Sequence, residues 1–340
     1  MTIFIAFKYR PVYRLIPYLR LLFPPALIFC MGSFASLCLF SCDGGTSKSV
    51  VSSENSNRFA VVLGIAQDGG YPQIGCDKTC CRRFFEGGEP RRLVTSLALV
   101  DRGKQRYWLL EATPDIGEQL RRVPPYLGRD SFQLPAGVLL THAHIGHYAG
   151  LMQFGREALG ARNLPVHAMP RMRDFLKANG PWSQLVGTGN IELRNLQADN
   201  IIDLDGSFRI TPFRVPHRDE YSETVGFLIE GERRIVFLPD IDKWERWDRD
   251  LFAFGADLYL VDGTFMQSDE LPGRDMREIP HPFVQETMQR FESLPDSLRS
   301  RIVFIHFNHT NPLIRSKSSA LDTVTARGFR VAREADVIPL

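Results

Sequence analysis

Cysteine is scarce, six in 340 residues, and falls in two groups. Cys30, Cys38 and Cys42 lie near the N-terminus, and the rest of the chain holds only Cys76, Cys80 and Cys81. Three clustered thiols make no disulfide framework, and adjacent Cys80 and Cys81 are poor partners for each other because disulfide geometry is demanding. A single disulfide, buried free thiols and a metal site remain as alternatives for this cluster. Acids are absent from residues 1–41, which carry Lys8, Arg10, Arg14 and Arg20. The formal charge of +2 therefore misleads, since without those four cations 37 basic residues face 39 acidic ones. The body has no broad basic field, which speaks against nucleic acid as partner. No internal repeat is present, and low complexity is confined to one linker. At 44% hydrophobic and 24% charged residues, the chain has an ordinary globular composition.

The acid-free segment has the layout of an export signal: cations up to Arg20, an uncharged run from Leu21 to Ser41, and small residues near its end. Leu39-Phe40-Ser41-Cys42 resembles a bacterial lipobox, in which Cys42 becomes a lipidated first residue. An uncleaved anchor and ordinary cleavage are the alternatives, since about 20 apolar residues can span a bilayer. All three put the body outside the cytoplasm, tethered to a membrane in the first two. The expected organisation is a leader over 1–41, a Ser/Gly-rich tether over 42–57, and one domain over 58–340.

Short apolar runs predict strands at Phe59–Gly64, Ser96–Val100, Tyr107–Leu110, Gly137–Leu140, Val166–Ala168, Phe208–Val215, Thr224–Ile229, Arg234–Leu238, Leu258–Val261 and Ile302–Ile305. Helices are expected at Ile116–Arg122, Gly150–Leu159, Met169–Asn179, Pro282–Glu292 and Ser318–Arg327, the first with Thr113-Pro114 as its start signal. Strands with interspersed helices imply a sheet-centred α/β layer fold.

The most informative stretch is Thr141-His142-Ala143-His144-Ile145-Gly146-His147, which follows Val138-Leu139-Leu140. It holds three of the eight histidines within six residues. A strand ending in such a loop aims imidazoles at one spot, and neutral imidazole is the commonest protein ligand of zinc. Other polar residues recur just after strands: His217, Asp240, Asp262, and His306-Phe307-Asn308-His309. Loops gathered on one sheet edge would bring them together. His167 has no place in this set.

Here the chain resembles the metallo-β-lactamase superfamily, whose pattern is His-x-His-x-Asp-His, a separate His, an Asp and a last His. His142, His144, His147, His217, Asp240 and His306 match in order. Val62-Leu63-Gly64, Gly69-Gly70-Tyr71-Pro72-Gln73, Ala112-Thr113-Pro114-Asp115-Ile116, Asp262-Gly263-Thr264 and His306-Phe307-Asn308-His309-Thr310-Asn311-Pro312 further resemble the pyrroloquinoline-quinone biosynthesis protein B group and phosphodiesterase-like hydrolases. The resemblance implies an αββα sandwich with its metals at the sheet edge. It implies a first metal on His142, His144 and His217, a bridging Asp240, and a second position on His147 and His306, with Asp240 and His306 catalytic. Gly146 stands where the pattern has Asp. The expectation is one firmly held zinc and a weakened second site, with Gly146→Asp raising occupancy. Iron or manganese on the same ligands is the alternative.

The same relatives hold a structural zinc near the first strand. Cys76, Cys80 and Cys81 match that cluster, and His281 is expected as its fourth ligand. Asp262 is expected to orient a ligand histidine or serve a turn, and Asn308 and His309 to contact substrate or cap a loop. The implied activity is hydrolysis of a small phosphodiester or ester by metal-bound hydroxide, since bound zinc brings the pKa of water near 7. The alternatives are an oxidoreductase acting on a quinone or peptide precursor and a metal-binding protein without turnover. Substrate choice would lie in loops 78–92, 181–189 and 219–223.

Overall fold

The structure, a computed structural model, describes residues 56–340. The leader, most of the tether and Cys42 lie outside the described residues. No helix among the described residues is long and apolar enough to cross a membrane.

Two seven-stranded sheets form the centre. The first contains β1 (Arg58–Gly64), β2 (Ser96–Asp101), β3 (Arg106–Leu110), β4 (Gly137–Leu139), β5 (Leu164–Ala168) and β6 (Ile191–Asn195). The second contains β7 (Ile202–Leu204), β8 (Phe208–Arg214), β9 (Val225–Glu230), β10 (Arg234–Leu238), β11 (Leu258–Asp262), β12 (Ile302–Ile305) and β13 (Arg330–Val331). The last strand, β14 (Val337–Pro339), returns to pair with β1, Phe59 opposite Pro339. Each sheet is antiparallel at one side and parallel at the other: β3 to β6 run parallel, as do β10 to β13.

The strands form because their apolar residues face two buried surfaces. In β1, Ala60 and Val62 enter the core between the sheets, whereas Phe59, Val61 and Leu63 face a second apolar layer outside. A sheet buried on both faces reads as a near-continuous apolar run, and each large side chain so buried stabilises the fold by roughly 1.5–3 kcal/mol. The helices are α1 (Thr79–Phe85), α2 (Ile116–Arg122), α3 (Ile145–Tyr148), α4 (Pro170–Ala178), α5 (Trp182–Gly187), α6 (Val284–Arg290), α7 (Asp296–Arg299) and α8 (Ser319–Ala326). Ile116 and Leu120 of α2 and Met172 and Leu176 of α4 cover the first sheet. Val284 and Met288 of α6 and Val324 of α8 pack on the second. The result is the αββα sandwich that the sequence pattern implied.

The helix expected at Gly150–Leu159 is instead a short 3-10 segment, Ala149–Phe154. Gly150 N donates to Ala112 O at 2.8 Å, and a Cβ there would overlap the Thr113 and Ala112 carbonyls. That tether pulls the backbone off the α-helical path. The segments β7, β13 and β14, two or three residues each, are too short for periodicity to reveal. The edge strand β6 and the helices α1, α3, α5 and α7 also went unexpected.

The parallel strands place the polar residues. In open α/β sheets, ligands bind beyond the carboxyl ends of the strands. The loops after β1, β3, β4, β8, β10 and β12 deliver Asp68, Glu111, His142, His217, Asp240 and His306, and the end of β11 delivers Asp262. The loop after β1 also bridges the two sheets at this edge, Ala66 pairing with both Val94 and Phe307.

Candidate metal centre

The chain leaving β4 is held from both sides: Val225 N donates to Thr141 O at 3.2 Å and Ala143 N to Ser222 Oγ at 2.8 Å. This fixes His142 and His144. His142 Nδ1 lies 2.8 Å from Thr141 Oγ1, which turns Nε2 inward, 2.8 Å from His144 Nδ1. The His217 ring comes from the other sheet, its centroid 4.9 Å from that of His144. Burial, helped by neighbouring imidazoles, lowers the proton affinity of His142 well below the ordinary range. Burial does the same to His144 and takes His217 to about 3. All three are neutral imidazoles at pH 7, the form that binds a cation.

A second group adjoins them. His147 Nε2 lies 3.1 Å from both Asp240 Oδ2 and Asp68 Oδ1. His306 Nε2 is 3.4 Å from Asp240 Oδ2 and 3.8 Å from Asp68 Oδ1. Burial would raise the Asp240 carboxyl, but the charges of His306 and His147 hold it well below the usual carboxylate range. Asp68 is held low in the same way, chiefly by the nearby His147 and His306 imidazoles, which outweigh burial. His147 would be depressed by burial, yet Asp240 and Glu111 push its proton affinity well up.

The outer polar contacts set which nitrogen faces inward. Thr264 Oγ1 donates to Asp262 Oδ1 at 2.7 Å, so it accepts from His306 Nδ1 at 3.1 Å. The His306 Nε2 lone pair is then left for the centre. Behind His147, Glu111 Oε2 lies 3.6 Å from Nδ1, and burial raises this carboxyl. His306 and Glu111 both sit at positive φ, 68° and 72°, which costs of order 1–3 kcal/mol each and clusters at functional sites.

Whether these residues fit a metal is decided by their unmet hydrogen-bonding capacity. Asp68 Oδ1, His147 Nε2, His217 Nε2, Asp240 Oδ2 and His306 Nε2 are buried without a partner. Buried polar atoms are rarely orphaned, and here they converge. His142, His144 and His217 could hold one ion. Asp68, His147 and His306 could hold another, with Asp240 within reach of both His142 with His147 and His217 with His281. A donor set of imidazole and carboxylate suits zinc, and suits iron or manganese as well.

Two residues were invisible to sequence reasoning. Asp68 stands against Gly146, where a Cβ would fall 2.5 Å from the Asp68 Cα and collide with its carboxylate. The expectation that Gly146 simply leaves a gap is corrected, because Asp68 fills it. An Asp at residue 146 could enter only by displacing Asp68. Glu111 ends β3 just as Asp262 ends β11. An acid closing an apolar strand was the available signal.

His281 is the second correction. It does not join the cysteines: a pairing of Phe265 with Phe283 carries it to Asp262, whose Oδ2 is 2.7 Å from His281 Nδ1. The residue that gathers with Cys76, Cys80 and Cys81 is His309, three positions after His306. Cys80 and Cys81 both reach this point from the first turn of α1, with Cys76 Sγ 3.7 Å from Cys80 Sγ. All three cysteines are free thiols. Asn308 serves the loop: its Nδ2 donates to Gln67 Oε1 at 2.6 Å and its Oδ1 accepts from Thr310. A cavity of about 680 Å³ opens beside the centre, lined among others by His281, Arg218, Arg274, Gln67 and Phe265.

Comparisons with known proteins agree with this fold. Residues 106–307 match the family model described as the β-lactamase superfamily domain. The coenzyme PQQ synthesis protein B of Methylorubrum extorquens (strain PA1) is 27% identical over 304 residues, covering 82% of this chain and 99% of that protein. Its counterpart from Pseudomonas putida (strain W619) is 30% identical over 312 residues, with the same coverage. The crystal structure of Zn(2+)-bound PqqB from Methylobacterium extorquens superposes with a TM-score of 0.70 at 25% identity, covering 83% of this chain and all of that one. A diphosphatase from the PhnP family shares the fold, with a TM-score of 0.59 at 22% identity over 83% of this chain and 98% of that one.

Proposed function

The chain belongs to the β-lactamase superfamily, and from that premise we propose that it is a metal-dependent hydrolase of a small phosphodiester or ester. His142, His144 and His217 would hold a first ion, with His147 and His306 at a second position and Asp240 shared between them. A bound zinc would lower the pKa of water to about 7 and so supply hydroxide at neutral pH. The chain's own residues supply the rest. Asp240, ionised and fixed between the two histidine groups, orients the attacking water. His281 lines the cavity while Asp262 holds its Nδ1, which suits it to give a proton to the leaving oxygen. Arg218 and Arg274 line the same cavity and would receive an anionic group. The observation that carries the reading is the convergence of orphaned imidazole and carboxylate atoms beside a cavity onto which a carboxylate-backed imidazole opens.

The test is turnover of bis(p-nitrophenyl) phosphate and p-nitrophenyl esters by zinc-loaded protein, lost on chelation and restored by zinc. His281→Ala should lower kcat by roughly 10²–10⁴-fold, the usual contribution of a general acid, with zinc content unchanged. No turnover across the panel at full zinc occupancy would remove the proposal. A second reading, oxidation of a quinone or peptide precursor, is favoured by similarity to proteins named for coenzyme PQQ synthesis. It predicts iron-dependent oxygen uptake in place of ester cleavage.

A further inference from the structure

We infer that Asp68 is the carboxylate ligand of the second metal position, brought by the loop after β1 to the place that a side chain at residue 146 would otherwise take. The inference rests on the metal centre proposed above and adds a residue to it. Four observations carry it.

The first is direction. Asp68 Oδ1 is buried and has no hydrogen-bond partner, and it lies 3.1 Å from His147 Nε2 and 3.8 Å from His306 Nε2. An unpaired carboxylate oxygen facing two inward imidazole nitrogens is a donor set that suits a cation.

The second is exclusion. A Cβ on Gly146 would lie 2.5 Å from Asp68 Cα and closer still to Oδ1. The backbone of residue 68 cannot come this close to α3 unless residue 146 is glycine. Gly146 has its own role here, as the opening through which the Asp68 side chain enters.

The third is preorganisation. Gln67 N donates to Phe307 O at 2.8 Å, Phe307 N to Ile65 O at 2.7 Å, and Gly70 N to Gln67 O at 2.7 Å. Asn308 Nδ2 bonds Gln67 Oε1. The residue before Asp68 is thus tied to the residues just after His306, so carboxylate and imidazole move as one unit.

The fourth is charge. Two divalent cations bring four positive charges. Asp240 alone would leave a buried excess, and charges in a protein interior need partners. Asp68 adds a second negative charge at the ion.

The test is metal content and affinity in four proteins: wild type, Asp68→Asn, Gly146→Asp, and the double variant Asp68→Gly/Gly146→Asp. A zinc on Cys76, Cys80, Cys81 and His309, which could hold one, would serve as an internal reference. Wild type should hold three zinc equivalents. Asp68→Asn keeps the side-chain shape and should hold two, with the weakest equivalent at least tenfold looser in a chelator competition. Gly146→Asp alone should also lose an equivalent, because it collides with Asp68. The double variant moves the carboxylate onto α3 and should regain the third. Three tight equivalents in Asp68→Asn, or a gain in Gly146→Asp, would overturn the assignment. Failure of the double variant to regain the third would attribute the loss to a damaged loop and would also count against it. The hydrolase reading fails separately: wild type holding three equivalents without cleaving any ester refutes the activity and leaves Asp68 in place.

Discussion

Thr264→Val isolates the role of one hydroxyl with almost no change of shape. In the native protein, Thr264 Oγ1 donates to Asp262 Oδ1 at 2.7 Å, accepts from His306 Nδ1 at 3.1 Å, and lies 3.2 Å from His281 Nδ1. Asp262 Oδ1 also accepts from Thr264 N at 2.9 Å, so valine leaves it one bond. His306 Nδ1–H loses its acceptor altogether in a fully buried site. An orphaned buried donor costs about 1–3 kcal/mol of stability. Loss of the group that orients a ligand histidine typically weakens metal binding 10–100-fold, which is about 1.4–2.7 kcal/mol. Thr264→Ser keeps the hydroxyl and should retain zinc affinity, losing only about 0.8 kcal/mol for the missing methyl. Zinc affinity at pH 7 is read by competition with a chromophoric chelator, and stability by urea unfolding of the metal-free protein. Native affinity in the valine variant, or equal loss in valine and serine, would refute the argument that this hydroxyl sets the His306 tautomer.

Two further predictions concern the surroundings. Cys76, Cys80, Cys81 and His309 could hold a zinc of their own; Cys76→Ser or His309→Ala should then remove it together with the stabilisation it would bring, roughly 4 kcal/mol where free zinc exceeds its Kd 1,000-fold. Chelation should then lower the urea midpoint of wild type by more than that of either variant, whose histidine centre is intact, and equal sensitivity would deny a metal at this cluster. Glu270 lies in the loop after β11, and burial raises its carboxyl to about 7 despite bonds from Thr310, Met266 and Gln267. Between pH 4.5 and 7 the folded state then holds a proton that the unfolded chain has released, so stability falls as pH rises through this window. The total is on the order of 3 kcal/mol at most, from about 1.4 kcal/mol per pH unit. Glu270→Gln should remove this component, seen as a smaller loss in urea midpoint from pH 5 to pH 8. An unchanged slope would count against it.

Much of the centre was legible because strand ends are legible. His142, His144, His217, Asp240 and His306 each follow a short apolar run, and the parallel sheet order puts those ends on one edge. Asp68 was not legible because it lies 78 positions before Gly146 in sequence. A missing Cβ reads as lost function until the neighbour that occupies the space is known. His281 and His309 were misassigned for a related reason: spacing along the chain does not say which loop folds back. The Phe265–Phe283 pairing brings His281 to Asp262, and the Ala66–Phe307 bridge carries the His306–His309 loop towards the loop of the cysteines. Glu111 directly follows the expected strand Tyr107–Leu110, where nothing but its position after an apolar run set it apart.

The most direct measurement is anomalous diffraction at the zinc absorption edge from crystals of the zinc-loaded protein. The account predicts one peak enclosed by His142, His144 and His217, a neighbouring peak enclosed by Asp68, His147 and His306 with Asp240 between the two, and a separate peak within Cys76, Cys80, Cys81 and His309. Crystals of fully loaded protein with no peak among the six histidine and two aspartate side chains named for the centre and its cavity would contradict it.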